Sequence, residues 1–489
     1  MTGVLTPGGV DEQLKAAAAA FATALPASVT LPAGAGKTHL LAATVRHLVA
    51  DGHSVLVLTH TNAGVQAVRR RLKRFGVTAG VRVATLTSFA FLLARAYSSI
   101  GQLKVPCVPN WNNSAAYVAA ARRIAAASNI RDILAASYTH LLVDEYQDCS
   151  ESQHEFVTAL ADAISKTGVL GDPMQAIFSF GEPLVTWEAT QARFPDHPTD
   201  SKPWRWTKHN QTLGQWLFDL RSELTVGKQL TFSRLAPGLG ISFRSAAGNY
   251  LAVKQAALWH RWPSEESVVV LTAWKQGARR IGADLDGTFT VMEELAGEFM
   301  TGKLAKLAML APAQYASWLL ELTKDCLCGN GKLNDAVKKA LGQGRTVGHV
   351  GRPGLEPALA GLDAVVANPC YATMADAMDV ITRSPSLRLH SREAWRDIQL
   401  ALRGAAAAGD DPQILTEELA RARDRVRRVG RHEGSRVVSR TLLVKGLEYD
   451  HVVIANVEQL TDVNNLYVAL TRARRSITVI GITDTITLT

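Results

Sequence analysis

Apolar residues fall into two patterns along the chain. Short, mostly apolar runs at Ser28–Leu31, Ser54–Leu58, Val81–Ala84, His140–Val143 and Thr167–Leu170 have the length and composition of strands. Between them, apolar side chains recur every three or four positions. Thr38–Ala50 places Leu40, Leu41, Val45, Leu48 and Val49 on one face, and Ala63–Arg74 sets an apolar face against a basic one. Residues 10–24 read as an alanine-rich helix. Strand–helix alternation of this kind predicts an α/β fold with a parallel sheet. The strand pattern pauses over 89–137, where helical stretches take over. Pro195, Pro198 and Pro203 mark Phe194–Pro203 as a connection between domains. A second strand set follows at Ser267–Thr272, Arg436–Leu443, His451–Asn456 and Ser476–Ile480, interrupted by mostly helical sequence over 276–430.

Composition narrows the class without naming a function. A chain of 489 residues is too long for one compact domain. With 47% hydrophobic and 20% charged residues it has material for buried cores, which excludes wholesale disorder. The net charge of +9 and pI near 9.3 suit a partner that carries phosphates. Five cysteines, an odd number in a large chain, point to a reducing compartment. Cys326 and Cys328 are close together, but C-x-C without neighbouring His or Cys is a poor zinc signature. The uncharged stretch Ala16–Gly36 imitates a leader peptide. Asp11 and Glu12 precede it, Pro26 and Pro32 interrupt it, and it leads into a phosphate loop. The expectation is a soluble, cytoplasmic protein with no membrane partner.

That loop is Leu31-Pro32-Ala33-Gly34-Ala35-Gly36-Lys37-Thr38, between a strand and a helix. Glycines there turn backbone N–H groups of Ala33, Gly34, Ala35 and Gly36 inward around phosphate oxygens, and the helix N-terminus adds its positive dipole. Lys37 reaches the β- and γ-phosphates, and the Thr38 hydroxyl holds Mg²⁺. Leu31 stands where the full pattern has glycine. A second half follows at His140-Leu141-Leu142-Val143, an apolar strand that runs into Asp144-Glu145-Tyr146-Gln147-Asp148. Asp144 would bind the metal through its shell, and Glu145 would orient and deprotonate the attacking water. Together the two predict an ATP- and Mg²⁺-dependent NTPase.

From Val143-Asp144-Glu145-Tyr146-Gln147-Asp148 onward the chain resembles the UvrD/Rep family of superfamily 1 DNA helicases. Thr59-His60-Thr61-Asn62-Ala63 and Thr85-Leu86-Thr87-Ser88-Phe89-Ala90 resemble two early motifs of that family. Gly171-Asp172-Pro173-Met174-Gln175-Ala176-Ile177-Phe178 resembles its third motif. Lys445-Gly446-Leu447-Glu448-Tyr449-Asp450 and Tyr467-Val468-Ala469-Leu470-Thr471-Arg472-Ala473-Arg474 match its fifth and sixth. The resemblance implies two RecA-like P-loop lobes with parallel sheets. Lobe 1 would comprise 1–88 and 138–200, with a reduced helical insertion at 89–137. Lobe 2 would comprise 201–275 and 431–489, with a larger helical insertion at 276–430. It also implies roles. Gln175 senses the γ-phosphate or its water, Arg472 is an arginine finger, and Arg205 is the second cleft arginine. Glu448 contacts the ribose. Gln13 reads adenine, or is a solvent-facing helix residue. Arg205, between Trp204 and Trp206, has a structural cation–π role as its alternative.

By the same resemblance, His60, Asn62, Thr87, Phe178 and Phe180 would contact single-stranded DNA, with aromatic rings as stacking platforms. For Phe178 the alternative is a place in the core. The basic runs Arg69–Arg74 and Arg421–Arg431 would touch phosphates, or form solvated helix faces. Thr87 stands where the family has histidine, and Leu442 and Leu443 where it has polar residues. Two functions are thereby expected. The first is an ATP-driven helicase moving 3′→5′ on single-stranded DNA and acting on 3′-tailed duplex. The second is a DNA-stimulated ATPase subunit that regulates a partner nuclease, with little unwinding of its own.

Overall fold

A computed structural model of the chain describes residues 11–489 apart from 108, 110, 179–181, 236–237, 250, 261, 294–296 and 430–433. It has the expected α/β fold class, with two parallel sheets. The chain divides into two compact units. The first holds residues up to Lys228 together with Asp462–Arg475 and Leu488–Thr489. The second holds Gln229–Thr461 and Ser476–Thr487. Residues 201–228 and 462–475 thus cluster with the first sheet. Trp206, fully buried, packs there on Gly34 and Gly214, and its indole N–H donates to the Ala473 carbonyl at 2.7 Å.

The first unit carries β1 (Ala27–Thr30), β2 (Val55–Thr59), β3 (Val81–Thr85), β4 (His140–Val143) and β5 (Lys166–Gly171). They lie in the order β1-β5-β4-β2-β3, every neighbouring pair parallel. The apolar runs are continuous because both faces of the sheet are covered. Alternate residues of β2 show it. Val55 and Val57 pack with Phe21, Leu41 and Val45 of α1 (Glu12–Ala24) and α2 (Lys37–Ala50). Leu56 and Leu58 pack on the other side with Phe89, Ile124 and Phe156. These belong to α4 (Leu86–Ala96), α6 (Ser114–Ala126) and α8 (Glu151–Ala163). α3 (Asn62–Arg74) begins at Thr61, whose hydroxyl caps the Gly64 N–H at 3.0 Å. α5 (Ser98–Gly101), α7 (Ser128–Ser137), α9 (Trp187–Arg193) and α10 (Gln211–Glu223) complete the helices used below.

In the second unit β6 (Gln229–Thr231) pairs with the distant strand Thr485–Thr487. The main sheet there has six strands: β7 (Ile241–Ser245), β8 (Val268–Thr272), β9 (Thr290–Val291), β12 (Arg436–Arg440), β13 (Tyr449–Ile454) and β14 (Ala473–Gly481). Their order is β7-β14-β13-β8-β12-β9. Two features differ from the helical reading of 276–430. β9 joins the main sheet beside β12, and β10 (Leu327–Cys328) pairs antiparallel with β11 (Arg388–Leu389). Strands of two residues leave no periodicity to read. The helices between Glu298 and Val429 nevertheless close a core of their own, around Leu304, Trp318, Leu319, Leu362, Met378, Ile398 and Leu402. Among the described residues no helix is long and apolar enough to cross a membrane.

Candidate nucleotide site

In a parallel sheet every strand delivers its following loop to the same edge, where ligands collect. In the first unit the loops after β1, β4 and β5 bring together the residues singled out above. Gly34 and Gly36 have φ of +75° and +93°, a left-handed turn open to glycine, and Gly36 caps the start of α2. A Cβ on Gly34 would lie 2.5 Å from the Trp206 ring, so the loop is also short of space. Lys37 is buried, and its Nζ donates to the Leu31 carbonyl at 2.9 Å. The Ala33 N–H donates to the Tyr467 hydroxyl at 3.2 Å.

Opposite the loop, β4 ends in Asp144, which is buried, and Glu145, whose φ of +56° is unusual for a residue with a side chain. The Asp144 carboxylate accepts from the Glu145 N–H at 3.0 Å and from the Thr38 hydroxyl. Burial, and then the charge of Glu145, push its carboxyl well above the usual range. The nearby Lys37 ammonium and the two hydrogen bonds oppose that push. A buried carboxylate so reluctant to hold its charge is relieved by a cation. The pairing of Thr38 with Asp144 is therefore a donor set that fits a hard divalent ion such as Mg²⁺.

From Glu145 a line of polar groups runs through the interior. Gln147 Nε2 donates to Glu145 Oε2 at 2.6 Å, and Gln147 Oε1 accepts from the Asp172 N–H at 2.9 Å. Asp172 Oδ2 accepts from Gln175 Nε2 at 2.8 Å, and Gln175 Oε1 accepts from Arg472 Nη2 at 3.2 Å. Arg472 is almost completely buried and also donates to the Val468 carbonyl (2.9 Å) and the Thr471 hydroxyl (3.0 Å). Arg205 donates to the Thr471 carbonyl, and its guanidinium lies 5.4 Å from the centre of the Trp206 ring. The ring contact matches the cation–π alternative for Arg205, and the carbonyl contact places it beside Thr471, the residue before Arg472.

Four participants carry no role in the sequence reading. Gln147 and Asp172 were legible, since each sits inside a quoted motif. Tyr467 lies in the match to the sixth motif, but nothing in the sequence says that its hydroxyl meets the glycine loop at Ala33. Arg221, on α10, gives no signal beyond a basic residue on an amphipathic helix. Its guanidinium pairs with Asp172 Oδ1 and lies 5.8 Å from the centre of the Tyr467 ring. Burial alone would lower the Arg221 guanidinium, but the Asp172 charge and hydrogen bonds to Asp172 and Tyr467 raise it above its ordinary value.

The remaining candidates are placed as follows. Gln13 is exposed in the first turn of α1. Glu448 is exposed just before β13, in the second unit. His60, Asn62 and Thr87 are half-buried at the ends of β2 and β3, the same sheet edge as the nucleotide residues. His60 Nε2 lies 3.4 Å from the buried Cys149 thiol. Phe178 is half-buried, and Phe180 lies outside the described residues. The basic run on α3 is divided. Arg69, Arg70, Lys73 and Arg74 are exposed, Arg69 while donating to the Val83 carbonyl (3.0 Å), and the half-buried Arg71 contacts His39. In the other run Arg421 pairs with Glu418, and Arg423 is buried against Asp397 at 2.7 Å. The side chains of 424–431 lie outside the described residues.

Part of the chain is similar to a known helicase domain. The sequence profile of the UvrD/REP helicase N-terminal domain matches residues 112–182, the stretch from α6 through the acidic strand end and the Gln175 loop. No curated protein matches the sequence. Among solved structures, the Pif1 helicase from Candida albicans aligns at a TM-score of 0.35 and 13% identity, over 58% of this chain. The alignment spans 55% of that helicase, little over half its length.

Proposed function

We propose that this chain, of the UvrD/Rep type within superfamily 1, is an ATP-driven DNA helicase that couples hydrolysis to 3′→5′ movement on single-stranded DNA. The observation that carries the reading is the meeting of Lys37, Thr38 and Asp144 at one point, with Glu145 beside them. In this assignment Lys37 leaves the Leu31 carbonyl for the β- and γ-phosphates, and the glycine turn supplies backbone N–H groups. Thr38 and Asp144 would hold Mg²⁺, whose charge would offset that developing on the transferred phosphoryl group. Glu145 takes a proton from the attacking water, and its bond to Gln147 fixes the side chain for that task. Gln175 and Arg472 face the γ-phosphate, where the guanidinium stabilises charge in the transition state.

Trp204 joins this set. Its indole is 48% exposed beside Gly36, bordering a cavity of about 470 Å³ lined by Lys202, Thr207, Gln211 and Gln215. An exposed indole next to a phosphate cradle is suited to stacking a purine. Gln13 is the candidate for reading the base edge, and Glu448 for the ribose. His60, Asn62, Thr87 and Phe178 are the proposed DNA contacts, with Phe180.

The decisive experiment measures ATP turnover with and without single-stranded DNA, then unwinding of 3′-tailed and 5′-tailed duplexes. DNA-stimulated turnover with preference for the 3′ tail supports the proposal. Turnover indifferent to DNA over a range of salt concentrations overturns it, whereas DNA-stimulated turnover with no unwinding of either duplex favours a subunit that regulates a partner nuclease.

A further inference from the structure

We infer that Arg221 is a positioning residue for hydrolysis, a clamp that holds the γ-phosphate sensor and the arginine finger in register with the phosphate loop. The inference rests on the ATPase reading above. Asp172 has no exposed surface. Its Oδ1 takes Arg221 Nη1 and the Met174 N–H (3.3 Å), which leaves Oδ2 for Gln175 Nε2 at 2.8 Å. With Nε2 committed to Asp172, the other end of the amide, Oε1, faces Arg472. Arg221 thus sets which way the Gln175 amide points without touching it.

A second arm runs through Tyr467, one turn before Thr471 on the helix Val463–Leu470. Arg221 hydrogen-bonds the Tyr467 hydroxyl, and that oxygen accepts from the Ala33 N–H of the phosphate loop at 3.2 Å. One guanidinium is therefore tied to the loop after β5, to the helix that delivers Arg472 and, through one hydroxyl, to the nucleotide cradle. All these residues belong to the first unit. The planar fork of donors explains why arginine rather than lysine stands here, since two partners in different directions must be held at fixed angles. Without it, a buried carboxylate would face Gln175 with no charge to balance it. The carboxylate would then be free to turn, and the amide would follow.

The test compares Arg221→Gln, Arg221→Lys and Tyr467→Phe with the unaltered chain. Each is measured for kcat, for KM, for affinity toward a non-hydrolysable ATP analogue and for melting temperature. Arg221→Gln is expected to lower kcat by about tenfold to a hundredfold while changing analogue affinity by less than about threefold, the mark of lost alignment. Arg221→Lys should recover part of that loss. On an Arg472→Ala background Arg221→Gln should cost little more, because residues acting through one relay are not additive. A purely structural role would lower the melting temperature yet leave the loss in kcat undiminished on that background. Wild-type kcat in folded Arg221→Gln, or additive losses, overturns the clamp. If Arg221→Gln does not fold, wild-type kcat in both Arg221→Lys and Tyr467→Phe does the same. Absence of ATP turnover in the unaltered chain would instead remove the ATPase reading itself.

Discussion

Two parallel sheets of similar make carry this chain, and what stands at their strand ends separates them. In the first, β1, β4 and β5 end in loops that bury Lys37, Asp144, Asp172 and Gln175 and bond the last three into a larger polar set. In the second, β8 and β12 are as thoroughly buried, and among the described residues the stretches that follow β9 and β12 bury a smaller set of charges, Glu293 and Lys445. From β8 the chain goes on into helices with a core of their own. Apolar strand interiors build either scaffold equally well. What differs is how many charged and amide groups the loops keep out of water, and that is where chemistry resides. Buried polar groups cost stability unless all are partnered, which suggests that the first set is retained for function.

The sharpest way to break this contrast is to remove its charges. Lys37→Ala should abolish productive nucleotide binding, read by a fluorescent ATP analogue and by phosphate release. Glu145→Gln should bind ATP normally and hydrolyse it ~10²–10⁴-fold more slowly, the usual worth of a general base. Wild-type turnover in either variant would show that the chemistry lies elsewhere. Arg472→Ala should lower kcat by ~10³-fold if its guanidinium acts as an arginine finger. Leu402→Ala, in the helical core of the second unit, should cost ~2–5 kcal/mol of stability and leave kcat per folded molecule unchanged. A kcat that fell with it would tie that core to the chemistry.

Trp204 and Trp206 allow a finer contrast within the first unit. Trp206→Ala removes a fully buried indole packed on the phosphate loop and should cost ~3–5 kcal/mol. Trp204→Ala should leave the melting temperature in place and weaken ATP binding by ~1–3 kcal/mol, the worth of one stacked base. Unchanged affinity would take the base away from Trp204.

Sequence patterning reaches this far because most of the fold is a periodicity problem. β2, β4 and β8 are mostly apolar runs, β13 ends in Val452-Val453-Ile454, and α2 and α3 show their buried faces directly. β7 is harder to read because Ile-Ser-Phe-Arg-Ser is half-exposed and short of apolar residues. β9 rests on two residues, so only its partner β12 makes it a strand. At the proposed nucleotide site, Lys37, Thr38, Asp144, Glu145, Gln175 and Arg472 come from local motifs, each with its own spacing. Arg221 and Trp204 were not legible as site residues. Their places depend on α10 and the Trp204–Trp206 turn packing on a loop some 170 residues earlier, which no local pattern encodes.

The smallest expected effect concerns acid, and here the two units should behave alike. Each buries a histidine. Burial, then the charges of His53 and Lys166, lower His140 to about 4 at the foot of β4. Burial, then Arg279, lower His390 to about 4 beside β11, against the opposing charge of Asp325. Both rings are neutral in the folded protein, whereas the unfolded chain takes up protons from the ordinary 6.5 downward. Between 6.5 and about 4 the unfolded state therefore binds more protons at these two sites, so their contribution to stability falls as pH drops through that window and levels off below it. The raised Asp144 carboxyl at the end of β4 works in the opposite direction, in the parent and the variant alike. Hydrogen exchange of β4 and β11 amides at pH 7 and pH 5, corrected for intrinsic rates, reads the two units separately. His140→Gln should flatten the pH dependence at β4 and leave that at β11, and His390→Gln the reverse. Slopes matter here rather than absolute protection, because either substitution also disturbs packing at neutral pH. An unchanged slope at β4 in His140→Gln would mean that the neutral ring of His140 is not what makes the first unit sensitive to acid.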